Sequence, residues 1–297
     1  MNCKVIKIEK QLSFVEAAML QHQMFALVNA GKFDGVLLVL EHRPVMTTGV
    51  DFDAANLFVS EEELKNQGIE ISKTDRTGGI TYNGPGQIVV YPVLKLEKFN
   101  IKSEDYTGKL ETVMNDTISK YNLTPSQVEG YPGVFVNNIR TCFIGIKERK
   151  GVGYQGLSLD VTTDMANYKL INPSGMTDYK VGKLQDFVKD IKIEDVKDQI
   201  IKSFNKIFGV VFEISNMKDM MPAGGMGRPG GGAKRPASAG GGHPAGVSKR
   251  PAHTGMGHPA GVSKRPESAG MGHPHGVSKK PESAVTGHPH GVSKKPQ

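Results

Sequence analysis

Chemistry in this chain is most concentrated at residues 76–87, RTGGITYNGPGQ. Four glycines stand among Arg76, Thr81, Tyr82 and Gln87, with Pro85 between two of them. Glycines at that density let backbone approach a ligand or a second strand at little steric cost, and an apolar run from Ile88 to Leu94 follows. Arg76 brings a fixed positive charge to such a loop. The two thiols, Cys3 and Cys142, are too few for a metal cluster or a disulfide framework.

The elements that must position this loop are legible from pattern. Cys3–Lys10 alternates as a strand. Ser13 and Glu16 form a capping-box signature for a helix running to about Ala30, with Gly31 as its stop. Val36–Leu40 is a continuous apolar run suited to a strand buried on both faces. Further strands are expected at 69–74, 87–96, 133–136, 140–146, 156–161 and 210–214, the 133–136 and 140–146 pair turning at Asn137-Asn138. Helices are expected at 60–67, 104–121 and 193–208. Strands and helices mix without a regular βαβ beat, which predicts an α/β or α+β domain around one mixed sheet.

Composition breaks near Asn216. Residues 217–297 hold 12 Lys/Arg against 3 Asp/Glu, and residues 1–216 hold 25 against 27. The basic character therefore belongs to the tail and is no sign that residues 1–216 bind nucleic acid. His243, His258, His273 and His288 recur every 15 residues, each opening a Gly/Pro/Ser/Lys unit almost free of large apolar side chains. Stacking such units would bury nothing, so the expected state of 217–297 is a disordered tail. Contact with polyanions through its Lys pairs, or weak metal binding through His-Pro-His, are the functional readings of that tail. No signal-peptide or transit pattern opens the chain and no segment has the length of a membrane span, so a cytoplasmic protein without membrane contact is expected.

Ordered landmarks spread through residues 5–215 resemble the octanoyltransferase family of lipoate biosynthesis. Leu40-Glu-His-Arg-Pro-Val-Met-Thr-Thr-Gly49 is similar to that family's L-E-H-x-P-V-Y-T-x-G, and 76–87 to its R-G-G-x-x-T-Y-H-G-P-G-Q. Tyr131–Val136, Arg140–Gly145, Gly156–Asp160 and Ile171–Gly175 follow in matching order. The resemblance implies a mixed sheet with flanking helices, related to lipoate and biotin protein ligases, as a domain over 1–216. It implies octanoyl transfer from acyl carrier protein to a lysine of a lipoyl domain, with no cofactor and no metal, by a monomer. The substrate pocket it implies comprises Arg76, Thr77, Gly78, Gly79, Ile80, Thr81, Tyr82, Asn83, Phe143, Ile144, Gly145, Gly156, Leu157 and Ser158.

The same resemblance puts Ser174 where the family has its nucleophilic cysteine and Arg140 where it has the lysine that activates it. Asn83 and Gln155 stand at two histidine positions. A serine hydroxyl needs a general base, and a guanidinium cannot be one. Arg140 can instead hold an oxyanion, a carboxylate or a phosphate. Three routes stay open. Ser174 could be activated by His42, which the resemblance places near the pocket. Cys142, two residues from Arg140 and hence expected on the same strand face, could carry the acyl chain. Or the site transfers directly, uses an acyl-adenylate, or binds acyl and lipoyl groups without catalysis.

Overall fold

The computed structural model describes residues 1–220; the repeats of the tail, its expected disorder and its polyanion and metal readings lie outside the described residues. The strands are β1 (Cys3–Lys7), β2 (Gly35–Leu40), β3 (Val45–Thr48), β4 (Glu70–Lys73), β5 (Ile80–Asn83), β6 (Gln87–Lys95), β7 (Pro125–Val128), β8 (Tyr131–Val136), β9 (Ile139–Arg149), β10 (Val152–Asp160), β11 (Lys180–Val181) and β12 (Glu213–Ile214). The helices are α1 (Phe14–Asn29), α2 (Glu61–Asn66), α3 (Tyr106–Ser119), α4 (Ile193–Phe208) and α5 (Met217–Met220).

The main sheet runs β12-β1-β2-β6-β10-β9-β8-β7, and β11 takes the end of β9 that β10 leaves unpaired. β12, β1 and β2 are mutually parallel, and the pairs from β2 through β7 are antiparallel. This is the mixed sheet that the irregular order of elements predicts. Its centre is buried on both faces. Leu37 and Val39 of β2 enter the core beneath α3 and α4, and Val36, Leu38 and Leu40 enter the core beneath α1. That is why the Val36–Leu40 run has no polar alternation.

Local signals set the element ends. Ser13 Oγ accepts from Glu16 N at 3.2 Å and Glu16 Oε2 accepts from Ser13 N at 2.8 Å, the reciprocal cap that starts α1. Asn137 and Asn138 both adopt positive φ, 50° and 62°, the backbone of a two-residue hairpin turn between β8 and β9. Beyond the compositional break at Asn216, α5 brings Met220 into the α1 side of the core.

A smaller sheet, β4-β3-β5, stands off the main one with α2 over its own core of Met46, Leu64, Ile69, Ile80 and Tyr82. The space between the two sheets is where the Gly-rich loop lies. Among the described residues, no helix is long and apolar enough to cross a membrane.

Candidate active site

The loop of residues 76–79 is strapped to both sheets. Thr77 N donates to Ile146 O at 3.1 Å and Thr77 Oγ1 accepts from Ile146 N at 3.2 Å, which ties it to β9. Gly49 N donates to Gly79 O and Val50 N to Arg76 O, each at 3.0 Å, which ties it to the end of β3. The approach to β9 needs a residue without a side chain: a Cβ on Gly145 would lie 2.9 Å from Thr77 O. Gly156 serves the same end in β10, where a Cβ would lie 2.0 Å from Val90 O, in front of the ladder gap opposite Pro92.

Between the sheets lies a cavity of about 380 Å³, a size suited to a small ligand. Of the residues expected there, Arg76, Thr77, Gly78, Gly79, Thr81, Asn83, Arg140, Phe143, Ile144, Gly145, Gly156, Leu157, Ser158 and Ser174 line it. Ile80 and Tyr82 do not. β5 alternates, so Thr81 and Asn83 face the cavity while Ile80 and Tyr82 enter the core of the small sheet. Phe14, Thr47, Asp51, Tyr91, Tyr131 and Gln155 also line the wall. Tyr131 and Gln155 fall inside recognisable motifs, whereas nothing in the pattern around Asp51 marks it.

Arg76 is committed to the chain itself. Its guanidinium donates to Thr47 O at 2.8 Å, Thr47 Oγ1 at 3.1 Å, Gly79 O at 2.9 Å and Thr77 O at 3.0 Å. Burial lowers its pKa to about 10, which still leaves it charged at neutral pH.

Arg140 is 2% exposed and differently placed. One nitrogen donates to Pro132 O at 2.6 Å, and another reaches only Met176 Sδ at 4.0 Å. Nε has no partner, and no carboxylate of the described residues pairs with the group. The guanidinium carbon sits 4.1 Å from the Phe143 ring centroid, with Tyr131 at 5.9 Å and Phe135 at 5.8 Å. Aromatic faces offset part of the desolvation, each worth about 0.5–2 kcal/mol. Burial lowers this pKa to about 10 as well. A charged, underbonded guanidinium on a cavity wall is a donor waiting for developing negative charge.

Cys142 does not share the face of Arg140. Pairing of β8 with β9 slips between Val134 and Phe135: Val134 faces Cys142, but Phe135 faces Arg140. Thr141 is the extra residue of a β-bulge, and the bulge reverses the alternation. Arg140 thus joins Phe143 on the cavity side, while Cys142 is buried with Val134 in the core beneath α3. Burial raises the Cys142 thiol far above its ordinary value, so it is an inert core residue.

His42 is equally far from the role of base. It is fully buried, with Nδ1 at 3.2 Å from Leu12 O and Nε2 at 2.8 Å from Tyr91 Oη. Burial lowers its pKa to about 4, so the neutral ring donates from Nδ1 and accepts the Tyr91 hydroxyl at Nε2. Both nitrogens are occupied, and His42 does not line the cavity.

Ser174 sits in the short 3₁₀ turn Pro173–Gly175 with φ 56° and ψ 22°, a left-handed conformation that costs a non-glycine residue energy. The turn is held by its flanks: Asn172 N donates to Asn56 O at 2.8 Å, and Asn172 Nδ2 to Asn56 Oδ1 at 3.0 Å. This puts Ser174 against the Gly78-Gly79 peptide, where a Cβ on Gly79 would lie 3.3 Å from Ser174 Cα.

A buried polar chain fixes the last wall. Gln87 Nε2 donates to Asp160 Oδ1 at 2.9 Å, so its Oε1 must face Asn83, whose Nδ2 donates to it at 2.7 Å. Asn83 Oδ1 is then the atom of that side chain left to accept a hydrogen bond. Burial raises the Asp160 pKa to about 6, against hydrogen bonds from Gln87 and Tyr168 that favour the anion.

Residues 14–205 match the family described as the lipoyl protein ligase A/B catalytic domain. An octanoyltransferase of Clostridium kluyveri is 32% identical over 207 residues, which cover 70% of this chain and 89% of that one. One from Thermoanaerobacter sp. strain X514 is 35% identical over 201 residues, 67% of this chain and 87% of its own. A bi-partite lipoate protein ligase from Thermoplasma acidophilum superposes with a TM-score of 0.59 at 16% identity, over 73% of this chain and 88% of that one, a likeness of fold alone. The matched stretch carries every side chain that lines the cavity, and with it the chain belongs to the lipoyl protein ligase A/B family, beside octanoyltransferases.

Proposed function

We propose that this chain moves an octanoyl group from the thioester of an acyl carrier protein to a lysine of a lipoyl domain. The observation that carries the reading is Arg140, a buried guanidinium with an unpaired Nε on the wall of an acyl-sized cavity. As an amine attacks a thioester, charge grows on the carbonyl oxygen, and a preorganised cation in a dry site is worth most at that moment. The cavity wall below it is apolar at Phe143, Ile144 and Leu157, suited to a short hydrocarbon chain. The relatives' name supports the octanoyl group. The Thermoplasma ligase, described together with its E2 lipoyl domain, supports a lipoyl domain as acceptor.

His42 is locked and Cys142 lies in the core, so neither acts on Ser174 or in its place, and among the described residues no thiol lines the cavity. Direct attack of the acceptor amine on the thioester is therefore the route this site supports best, with Ser174 as a hydrogen-bonding neighbour of the reacting carbonyl. The same absence of a thiol favours a second reading, a protein that binds acyl groups without turnover.

Incubation with octanoyl-acyl carrier protein and a lipoyl domain tests both. Octanoylation of the lipoyl domain, without an octanoyl adduct on this chain by intact mass, is expected. An adduct abolished by Ser174→Ala would replace direct attack by an oxyester route. Saturable binding of the carrier with no transfer would establish the second reading.

A further inference from the structure

The acceptor lysine must shed a proton as its nitrogen bonds to the acyl carbon, and the cavity offers little to receive it. Its ionisable wall consists of the guanidiniums of Arg76 and Arg140, the phenols of Tyr91 and Tyr131, and one carboxylate, Asp51. Guanidiniums stay protonated, and the Tyr91 hydroxyl is engaged with His42.

Asp51 is held in place. Its Oδ2 accepts from Gly78 N at 2.8 Å, and its own N donates to Gly78 O at 3.2 Å. The other carboxylate oxygen makes no hydrogen bond among the described residues. Across the same dipeptide stands Ser174: a Cβ on Gly79 would lie 3.6 Å from Asp51 O and 3.3 Å from Ser174 Cα. Asp51 is itself exposed, at the solvent side of the cavity, where an incoming side chain must pass. It is also the one negative charge on a wall whose two guanidiniums would repel an ammonium group.

We infer that Asp51 is the catalytic base of the transfer, receiving the acceptor lysine at the cavity mouth and taking its proton; this rests on the acyl-transfer reading above. The lysine ammonium first loses one proton to solvent; the free amine then donates its lone pair to the thioester carbon, and the carbonyl π electrons move to an oxygen facing Arg140. Asp51 takes a proton from the nitrogen. The oxyanion electrons re-form the carbonyl as the carbon–sulfur bond breaks with its electron pair on sulfur, which takes the proton back from Asp51. Amide and carrier thiol result, and the carboxylate is regenerated.

The experiment compares wild type, Asp51→Asn and Asp51→Glu in octanoyl transfer to a lipoyl domain and to hydroxylamine, which is unprotonated at neutral pH and needs little base assistance. Asparagine keeps an acceptor for Gly78 N, so the loop should hold. The expected result for Asp51→Asn is a fall in kcat for the lysine acceptor of about 10²-fold, with the KM for the acyl carrier unchanged and hydroxylamine transfer kept. Asp51→Glu should recover part of the loss. Asp51→Asn with full lysine transfer would overturn the inference, and so would equal loss with both acceptors, which marks a structural role. A wild-type chain that transfers to neither acceptor would instead refute the acyl-transfer reading itself.

Discussion

Two arginines enter the same cavity from different elements, neither with an ion-pair partner among the described residues. Arg76 spends its donors on Thr47, Thr77 and Gly79 and so fastens the Gly-rich loop to β3. Arg140 meets one carbonyl at hydrogen-bonding distance, leaves Nε unmatched, and is covered by aromatic rings. A cation whose two terminal nitrogens both bond oxygens of the neighbouring loop and strand is part of the architecture. One with donors left over stores unused hydrogen-bonding capacity at a cost in stability, and such costs collect at functional sites. The lesson is that charge alone does not separate the two; the hydrogen-bond inventory does.

The sharpest way to break this contrast is Arg140→Gln. Loss of one oxyanion donor should lower kcat by about 10²–10³-fold while leaving the thermal midpoint unchanged or raised. Arg140→Lys, which keeps the charge, should fall between. If Arg140→Gln instead unfolded the chain at full specific activity, the two arginines would have exchanged roles.

Arg76→Met should do the reverse. It strands the carbonyls of Thr47 and Gly79 in a half-buried loop, for a loss of about 3 kcal/mol in urea unfolding. Substrate affinity should fall as a consequence of loop release.

Asp160→Asn probes the network that orients Asn83. The folded carboxyl is raised to about 6 by burial, above its unfolded value, so the folded form holds the proton more tightly. Wild-type stability relative to Asp160→Asn is then greatest below about pH 4 and is lost as pH rises to about 6, by about 2–3 kcal/mol in total. Parallel unfolding series across that range would measure the difference, and a flat difference would show that the proton stays off.

Least is expected from Cys142→Ala. A small cavity under α3 should cost about 1 kcal/mol, with transfer activity intact. Lost activity would return the thiol to the chemistry and undo the two-face picture of β9.

Much of this was legible in one dimension. The apolar run of β2, the Ser13/Glu16 cap, the Asn137-Asn138 turn and the full extent of α4 follow from local pattern, and most positions that the family resemblance implies for the pocket line the cavity. What escaped depends on contacts distant in sequence. The strand β5 is hidden in a Gly-rich segment, so the alternation that removes Ile80 and Tyr82 from the wall is visible only once β3 is paired to it. His42 reads as a pocket base until Leu12 and Tyr91 close on its nitrogens. Asp51 gains its place from a hydrogen bond to a loop 27 positions later.

Thr141 has a reach out of proportion to its size. A regular strand over the same residues would put positions 140 and 142 on one face, so that either the guanidinium would enter hydrocarbon or the sulfhydryl would turn toward the ligand. Removing that one residue would leave Arg140 and Cys142 opposite Phe135 and Val134 as before, so a one-codon deletion here should spare both faces, in a place where the chain bears no obvious motif.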